Sequence, residues 1–190
     1  LVFSSLPHKA SAGTIAPLAK QGVKAIDLSA DFRLKDAAEY PRWYDFTHPA
    51  PELLPKAVYG LTELRRSEVA SASLVANPGC YPTSAILALA PAFRAGLVHP
   101  DVVVDSKSGL SGAGRTPSLG THYAEVNESV SAYALEGHRH LPEIVQELAA
   151  FHQGGPVAVT FLPHLVPMTR GILSSCYARL VEGKIAGGQQ

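Results

Sequence analysis

The chain has 190 residues, 16 Lys and Arg against 16 Asp and Glu, and 46% hydrophobic residues. It is too apolar and too weakly charged to be disordered, and zero net charge argues against a general nucleic-acid or anionic-membrane binder. No apolar run approaches the ~18–20 residues of a membrane span, no signal peptide is visible, and Cys80 and Cys176 make no disulfide framework, so a reducing, cytoplasmic setting is expected.

The sole methionine is Met168, and the chain opens inside the apolar run Leu1-Val2-Phe3, so it reads as a piece of a larger protein. Residues 1–6 predict a buried strand stopped by Pro7. Residues 8–21 predict a helix, with Ile15, Leu18 and Ala19 on one face and Gly22 as a stop. Residues 23–28 predict a second buried strand with Asp27 near its end. Strand, helix and strand together point to a βαβ unit with a parallel pair. Residues 31–40 turn from polar to helical, and 41–55 hold four prolines and predict loop. Residues 74–76 predict another short strand, ended by Asn77-Pro78-Gly79.

From 80 to 95 the pattern is helical: Ala85, Leu89 and Ala92 share a face, Ile86 and Phe93 lie beside it, and Gly96 follows. Pro82 suits the first turn, whereas Pro91 predicts a kink or break. Residues 102–105 predict a strand, the Gly- and Ser-rich 106–120 a loop, and 142–151 a helix with proline at its start. The β-rich segments 157–166 and 172–181 flank a polar turn at Thr169-Arg170 and predict an antiparallel pair. The first third is therefore α/β with a parallel sheet and the last third α+β, with a boundary near 77–80.

The sharpest chemical feature is Asn77-Pro78-Gly79-Cys80-Tyr81-Pro82-Thr83, a cysteine where a strand ends and a helix begins. Free N–H groups and the helix dipole at such a place favour a thiolate and can hold an oxyanion. The plain alternative is a structural cysteine, which suits Cys176. A nucleophilic cysteine often works with a histidine, and Gly137-His138-Arg139-His140-Leu141-Pro142-Glu143 is the richest cluster. Its alternatives are surface polar residues, a helix start, or a weak zinc set with His164 and Cys176.

The loop Ser108-Gly109-Leu110-Ser111-Gly112-Ala113-Gly114-Arg115 could bring N–H groups and a guanidinium to a phosphate or carboxylate, or could be a connector. Leu6-Pro7-His8 and Asp27-Leu28-Ser29-Ala30-Asp31-Phe32-Arg33 follow parallel strands, where ligands gather. The alternative for the second is a turn whose Asp and Ser cap Leu34 onward. Trp43, Tyr44, Phe46 and Tyr59 read as loop packing.

Leu28-Ser29-Ala30-Asp31-Phe32-Arg33, Asn77-Pro78-Gly79-Cys80-Tyr81-Pro82-Thr83, Ser111-Gly112-Ala113-Gly114-Arg115 and Gly137-His138-Arg139-His140 occur in this order, with Ala57-Val58-Tyr59-Gly60-Leu61 and Arg170-Gly171-Ile172-Leu173. Together they resemble the N-acetyl-gamma-glutamyl-phosphate reductase family of arginine biosynthesis. The resemblance implies a partial Rossmann-type parallel sheet over 1–79. It also implies an α+β catalytic domain of the glyceraldehyde-3-phosphate/aspartate-semialdehyde dehydrogenase type over 80–190, both domains incomplete.

By the same resemblance, Cys80 attacks the acyl phosphate and is left as a thioester, which NADPH reduces to N-acetylglutamate 5-semialdehyde. His138 would be the acid/base that deprotonates Cys80, with His140 its rival. Arg115, Asn77 and His140 would bind substrate. Ser108, Gly109, Ser111 and Gly112 would line the nicotinamide half of NADP(H), and Pro7, His8 and Ser29 would flank the cofactor from the Rossmann side. No metal, nucleic acid or membrane is implied, and a homo-oligomer, dimer or tetramer, is. The alternatives are a carrier-protein-linked aminoadipyl phosphate reductase of lysine biosynthesis, a cysteine hydrolase without cofactor, or a non-enzymatic binding module.

Overall fold

The computed structural model describes residues 1–152 and 154–184; residues 185–190 of the expected second domain lie outside them. The chain divides into two compact units, Leu1–Gly79 and Cys80–Gln190.

The first unit is built on four parallel strands in the order β1-β2-β4-β3: β1 Val2–Ser4, β2 Ala25–Asp27, β3 Val58–Tyr59 and β4 Leu74–Ala76. Helix α1, Ser11–Lys20, joins β1 to β2 and buries Ala12, Ile15 and Ala16, so the βαβ reading holds. It starts at Ser11 rather than residue 8, because Lys9 has a left-handed φ of 75°. The first strand is less buried than its apolar run predicts. It is the sheet's edge, only alternate residues face inward, and Phe3 is 66% exposed while Ser4 is 6% exposed.

The proline-rich 41–55 is not mostly loop. Helix α2, Glu39–Tyr44, contains Pro41, and a 3-10 helix, Pro51–Lys56, starts on Pro51. Both prolines lie in first turns, where no N–H is needed. Tyr40, Tyr44, Leu53 and Leu54 drop from these turns into the core with Phe32 and Leu34. Helix α3, Thr62–Ser71, is kinked at Arg65 and buries no residue.

Asp31 does not cap the segment after it. Its carboxylate accepts the backbone N–H groups of Lys9 at 3.0 Å and Ala12 at 2.9 Å, and so caps α1 from the loop after β2. Asp27 accepts from Ser11 Oγ at 2.6 Å and Ser29 Oγ at 2.7 Å, and the Ser29 hydroxyl in turn accepts the Asp31 N–H at 3.1 Å. Both carboxylates are fully buried. Asp31→Ala would strand the buried Ala12 N–H and remove the partner of the part-buried Lys9 N–H, and is expected to cost about 2 kcal/mol, read as a lower denaturation midpoint at unchanged slope.

The second unit holds a mixed sheet in the order β6-β7-β5-β8. Its strands are β5 Val98–Ser108, β6 Ser131–Ala132, β7 Ala158–Leu165 and β8 Ile172–Leu180. Helix α4, Cys80–Arg94, and a later helix, Leu141–Ala149, cover one face and bury Ala85, Leu89, Phe93, Ile144 and Leu148 against Val102 and Val104. A short helix α5, Tyr123–Val126, precedes β6; the Leu141–Ala149 helix is therefore α6.

Three expectations change here. First, α4 runs through the exposed Pro91 unbroken, at the loss of one backbone hydrogen bond. Second, the loop expected from residue 106 begins later, since Ser106 and Ser108 are buried strand positions and Ser106 Oγ meets Ser174 Oγ at 2.7 Å. Third, the segments expected to pair with each other do not. β5 lies between them, parallel to β7 and antiparallel to β8. The link between them crosses the end of β5 and is bonded there, Leu110 N–H to Met168 O at 2.9 Å and Ser111 N–H to Thr169 O at 3.0 Å.

Candidate active site

Cys80 is the first residue of α4 and is exposed. The helix is anchored under it by a ladder of hydroxyls: Ser84 Oγ and Ser106 Oγ each meet Ser174 Oγ at 2.7 Å. That fixes the thiol at the end of the sheet, at the N-terminus of a helix, where the dipole favours negative charge.

The thiol faces two cavities. One, of about 310 Å³, is lined by Cys80, Tyr81, Tyr133, His138, Arg139 and His140 with loop residues including Gly112 and Thr121. The other, of about 380 Å³, is lined by Cys80, Ser108, Gly109, Ser111, Gly112, Gly171 and Ile172. The structure thus brings Cys80 together with both expected histidines and with all four residues expected along the nicotinamide.

The two histidines are not equivalent. His140 is only 8% exposed. His138 takes the half-buried position, ringed by Tyr81, Tyr133, His140 and Phe161 at centroid distances of 4.8–5.7 Å. Burial first, and the neighbouring Arg139 charge second, hold the His138 imidazole down at about 4. Tyr133 donates to Tyr81 Oη at 2.9 Å, and Tyr81 donates to the His164 carbonyl at 3.3 Å. Burial pushes both phenols up. Burial likewise raises the Cys176 thiol, which lies within the sheet.

Arg115 lines neither of these cavities. It lies on an adjoining one of about 690 Å³ that shares Ser118 and Thr121 with the first. The guanidinium on the Cys80 cavity is that of Arg139. In the sequence Arg139 stands out only as the residue between two histidines, and neither it nor Tyr133 and Tyr81 is legible there as a site residue. Tyr133 carries no local signal, because β6 and the turn after it bring it in from a distance.

Asn77, Pro7, His8 and Ser29 belong to the first unit. Asn77 Nδ2 donates to the Pro78 carbonyl at 3.2 Å, and its own carbonyl accepts Arg33 Nε at 2.7 Å. Pro7 is exposed, and its carbonyl accepts the Ala10 N–H at 3.2 Å. His8 Nδ1 accepts the Ala30 N–H at 3.0 Å. The Ser29 hydroxyl is committed to Asp27 and Asp31. Among the described residues no group of three or more His, Cys, Asp or Glu could hold a metal, and no helix is long and apolar enough to cross a membrane.

Comparison with known proteins adds to this geometry. Residues 80–187 match the family model described as semialdehyde dehydrogenase, dimerisation domain, and residues 1–72 match semialdehyde dehydrogenase, NAD binding domain. Over 182 residues the chain is 59% identical to a protein of Dehalococcoides mccartyi named N-acetyl-gamma-glutamyl-phosphate reductase, covering 96% of this chain and 53% of that one. A protein of the same name from Syntrophobacter fumaroxidans is 55% identical over 184 residues, with the same coverages. The chain spans about half the length of the curated relatives it matches. Among solved structures, aspartate semialdehyde dehydrogenase II of Vibrio cholerae superposes with a TM-score of 0.65 at 16% identity, over 94% of this chain and 55% of that one. The fold is that of the aspartate semialdehyde dehydrogenases.

Proposed function

The chain belongs to the semialdehyde dehydrogenase family, and on that premise we propose that the protein reduces N-acetyl-gamma-glutamyl phosphate to N-acetylglutamate 5-semialdehyde through a thioester on Cys80. The observation that carries this reading is the single cavity holding Cys80, His138 and Arg139 at a helix N-terminus. The names of the relatives supply the substrate.

A glycine-walled cavity opens beside the thiol, where Gly109, Gly112 and Gly171 present backbone without side chains. It suits the flat nicotinamide end of NADP(H), with Ser108 and Ser111 as polar neighbours. When bound, NADPH supplies the hydride that turns the thioester into an aldehyde. The remaining chemistry belongs to the chain. Cys80 Sγ adds to the acyl carbonyl, the carbon–oxygen bond to phosphate breaks, and phosphate leaves. The first turn of α4 favours the negative charge that passes between sulfur and oxygen. Arg139 is placed to hold an anionic group of the substrate in the same cavity, and Arg115 can serve a second anionic group next door. The proposed sequence calls on no metal or nucleic acid, and free thiols fit a cytoplasmic setting.

A homo-oligomer fits the match to a dimerisation domain. Val103, Asp105 and Lys107 of β5 share the sheet face opposite α4 and α6, with Tyr177 and Leu173 of β8 as register partners. Leu173 and Tyr177 are 64% and 61% exposed, and we assign this face to a second copy. The activity is tested by following nicotinamide absorbance after adding the acyl phosphate to the intact gene product with NADPH. Oxidation of NADPH with this substrate, and not with carrier-bound aminoadipyl phosphate, is the expected result. Acyl-phosphate hydrolysis without cofactor oxidation would make it a hydrolase instead.

A further inference from the structure

The sheet face under α4 changes character toward Cys80. Along β5 the inward positions run Val102, Val104, Ser106 and Ser108, all buried. Ser174 of β8 lies opposite Ser106 in register, and a hydroxyl pair of this kind ties two strands side by side. Ser84 stands one turn after Cys80, on the same side of α4. Its hydroxyl meets Ser174 Oγ at 2.7 Å and donates to the Tyr81 carbonyl at 2.9 Å. Apolar side chains at these three positions would avoid the cost of burying hydroxyls. None of the three serines lines either cavity of Cys80, so none is placed to touch what those cavities bind.

A serine hydroxyl has one proton to give and two lone pairs, which fixes the order of the ladder. Ser84 gives its proton to the Tyr81 carbonyl and must accept from Ser174. Ser174 has then used its own proton and must accept from Ser106, whose Oγ lies 2.7 Å away. The chain of donors runs from β5 through β8 into the first turn of α4, and Ser174 is the link that joins the other two. We propose that Ser174 is a positioning residue for Cys80: through Ser84 it holds the first turn of α4 at one height on the sheet, and so keeps Cys80 Sγ aimed at the acyl carbonyl. The proposal rests on the thioester reading above.

The apolar contacts of α4 do not supply this on their own. Ala85, Leu89 and Phe93 hold the helix onto the sheet beyond its first turn, but such contacts have no preferred direction. Hydrogen bonds fix both distance and angle. The first turn has a second tie, from Tyr81 Oη to the His164 carbonyl, but at 3.3 Å it is long for a hydroxyl donor. The serine ladder is the tighter of the two. Precision matters at this end of the helix, because a misplacement of about 1 Å can slow a reaction about 10²-fold.

Threonine and valine at position 174 share a shape that suits a strand and differ by the hydroxyl. The step to follow is the burst of phosphate released when the intact gene product meets saturating N-acetyl-gamma-glutamyl phosphate without NADPH. Ser174→Val is expected to slow this burst by about 10–10²-fold, with the half-saturating concentration of the acyl phosphate within about twofold of the parent. Ser174→Thr keeps the hydroxyl and is expected to restore most of the parent rate. Ser84→Ala cuts the same ladder with a residue that favours helix. Its thermal midpoint is expected to hold while its burst slows as in Ser174→Val, which separates aim from folding. Equal rates for the threonine and valine variants, or a parent rate in Ser84→Ala, would overturn the positioning role. Full activity in Cys80→Ala would remove the thioester reading instead, and the two failures are read from different variants.

Discussion

Cys80→Ala is expected to lower acyl-phosphate reduction by at least about 10⁴-fold, the scale on which a covalent nucleophile is missed. The loss should fall on kcat, with the KM for NADPH little changed, because the cofactor's glycine wall does not need the sulfur. The other thiol of this chain cannot take over. Cys176 lies mid-strand, and burial raises its thiol. The folded state should be nearly unaffected, since Cys80 is exposed and α4 is held by its buried face and by the Ser84–Ser174–Ser106 ladder. An unchanged thermal midpoint beside a lost rate separates chemistry from folding.

Gly109→Ala is expected to do the opposite, damaging the fold first and the reaction through it. A Cβ there would lie 2.8 Å from Arg170 N, 2.9 Å from Arg170 Cα and 2.9 Å from Met168 O, all backbone atoms. Gly109 N–H itself donates to Gly171 O at 2.9 Å. Here the link from β7 to β8 is pressed onto the end of β5, and a methyl group must lift it. Overpacking of this kind costs about 2–3 kcal/mol, and it displaces the wall of the Cys80 cavity that Gly109 and Gly171 share. Gly112→Ala is the comparison: its Cβ meets the Ser108 hydroxyl at 2.7 Å, a group that can rotate away. A smaller stability loss is expected for it. Equal losses, or none at Gly109, would mean that the crossing is not clamped as described.

These two positions also show what a sequence makes legible. Cys80 stood out because strand, tight turn and helix start are local signals, and they place the residue before any tertiary contact forms. The βαβ start, α4 and α6 were readable for the same reason. Gly109 was read only as a cofactor residue, because its tighter constraint comes from residues some sixty positions along the chain. The pairing in the second sheet failed likewise. β7 and β8 have similar apolar patterns, and nothing local says that β5 is inserted between them. Helix α3 escaped because it buries nothing and so shows no apolar face. For Asp31 the sequence offered a ligand site or, as the alternative, a local cap, when its carboxylate serves a helix that begins twenty residues earlier. Arg139 and Tyr133 join Cys80 only through the fold.

The most direct test of the account is the mass of the enzyme caught in the act. The intact gene product, mixed with N-acetyl-gamma-glutamyl phosphate in the absence of NADPH and quenched in acid, should carry one N-acetylglutamyl group, on the peptide containing Cys80, with release of one phosphate. Phosphate release with no adduct, or an adduct on another residue, would contradict a thioester at Cys80 and the site built around it.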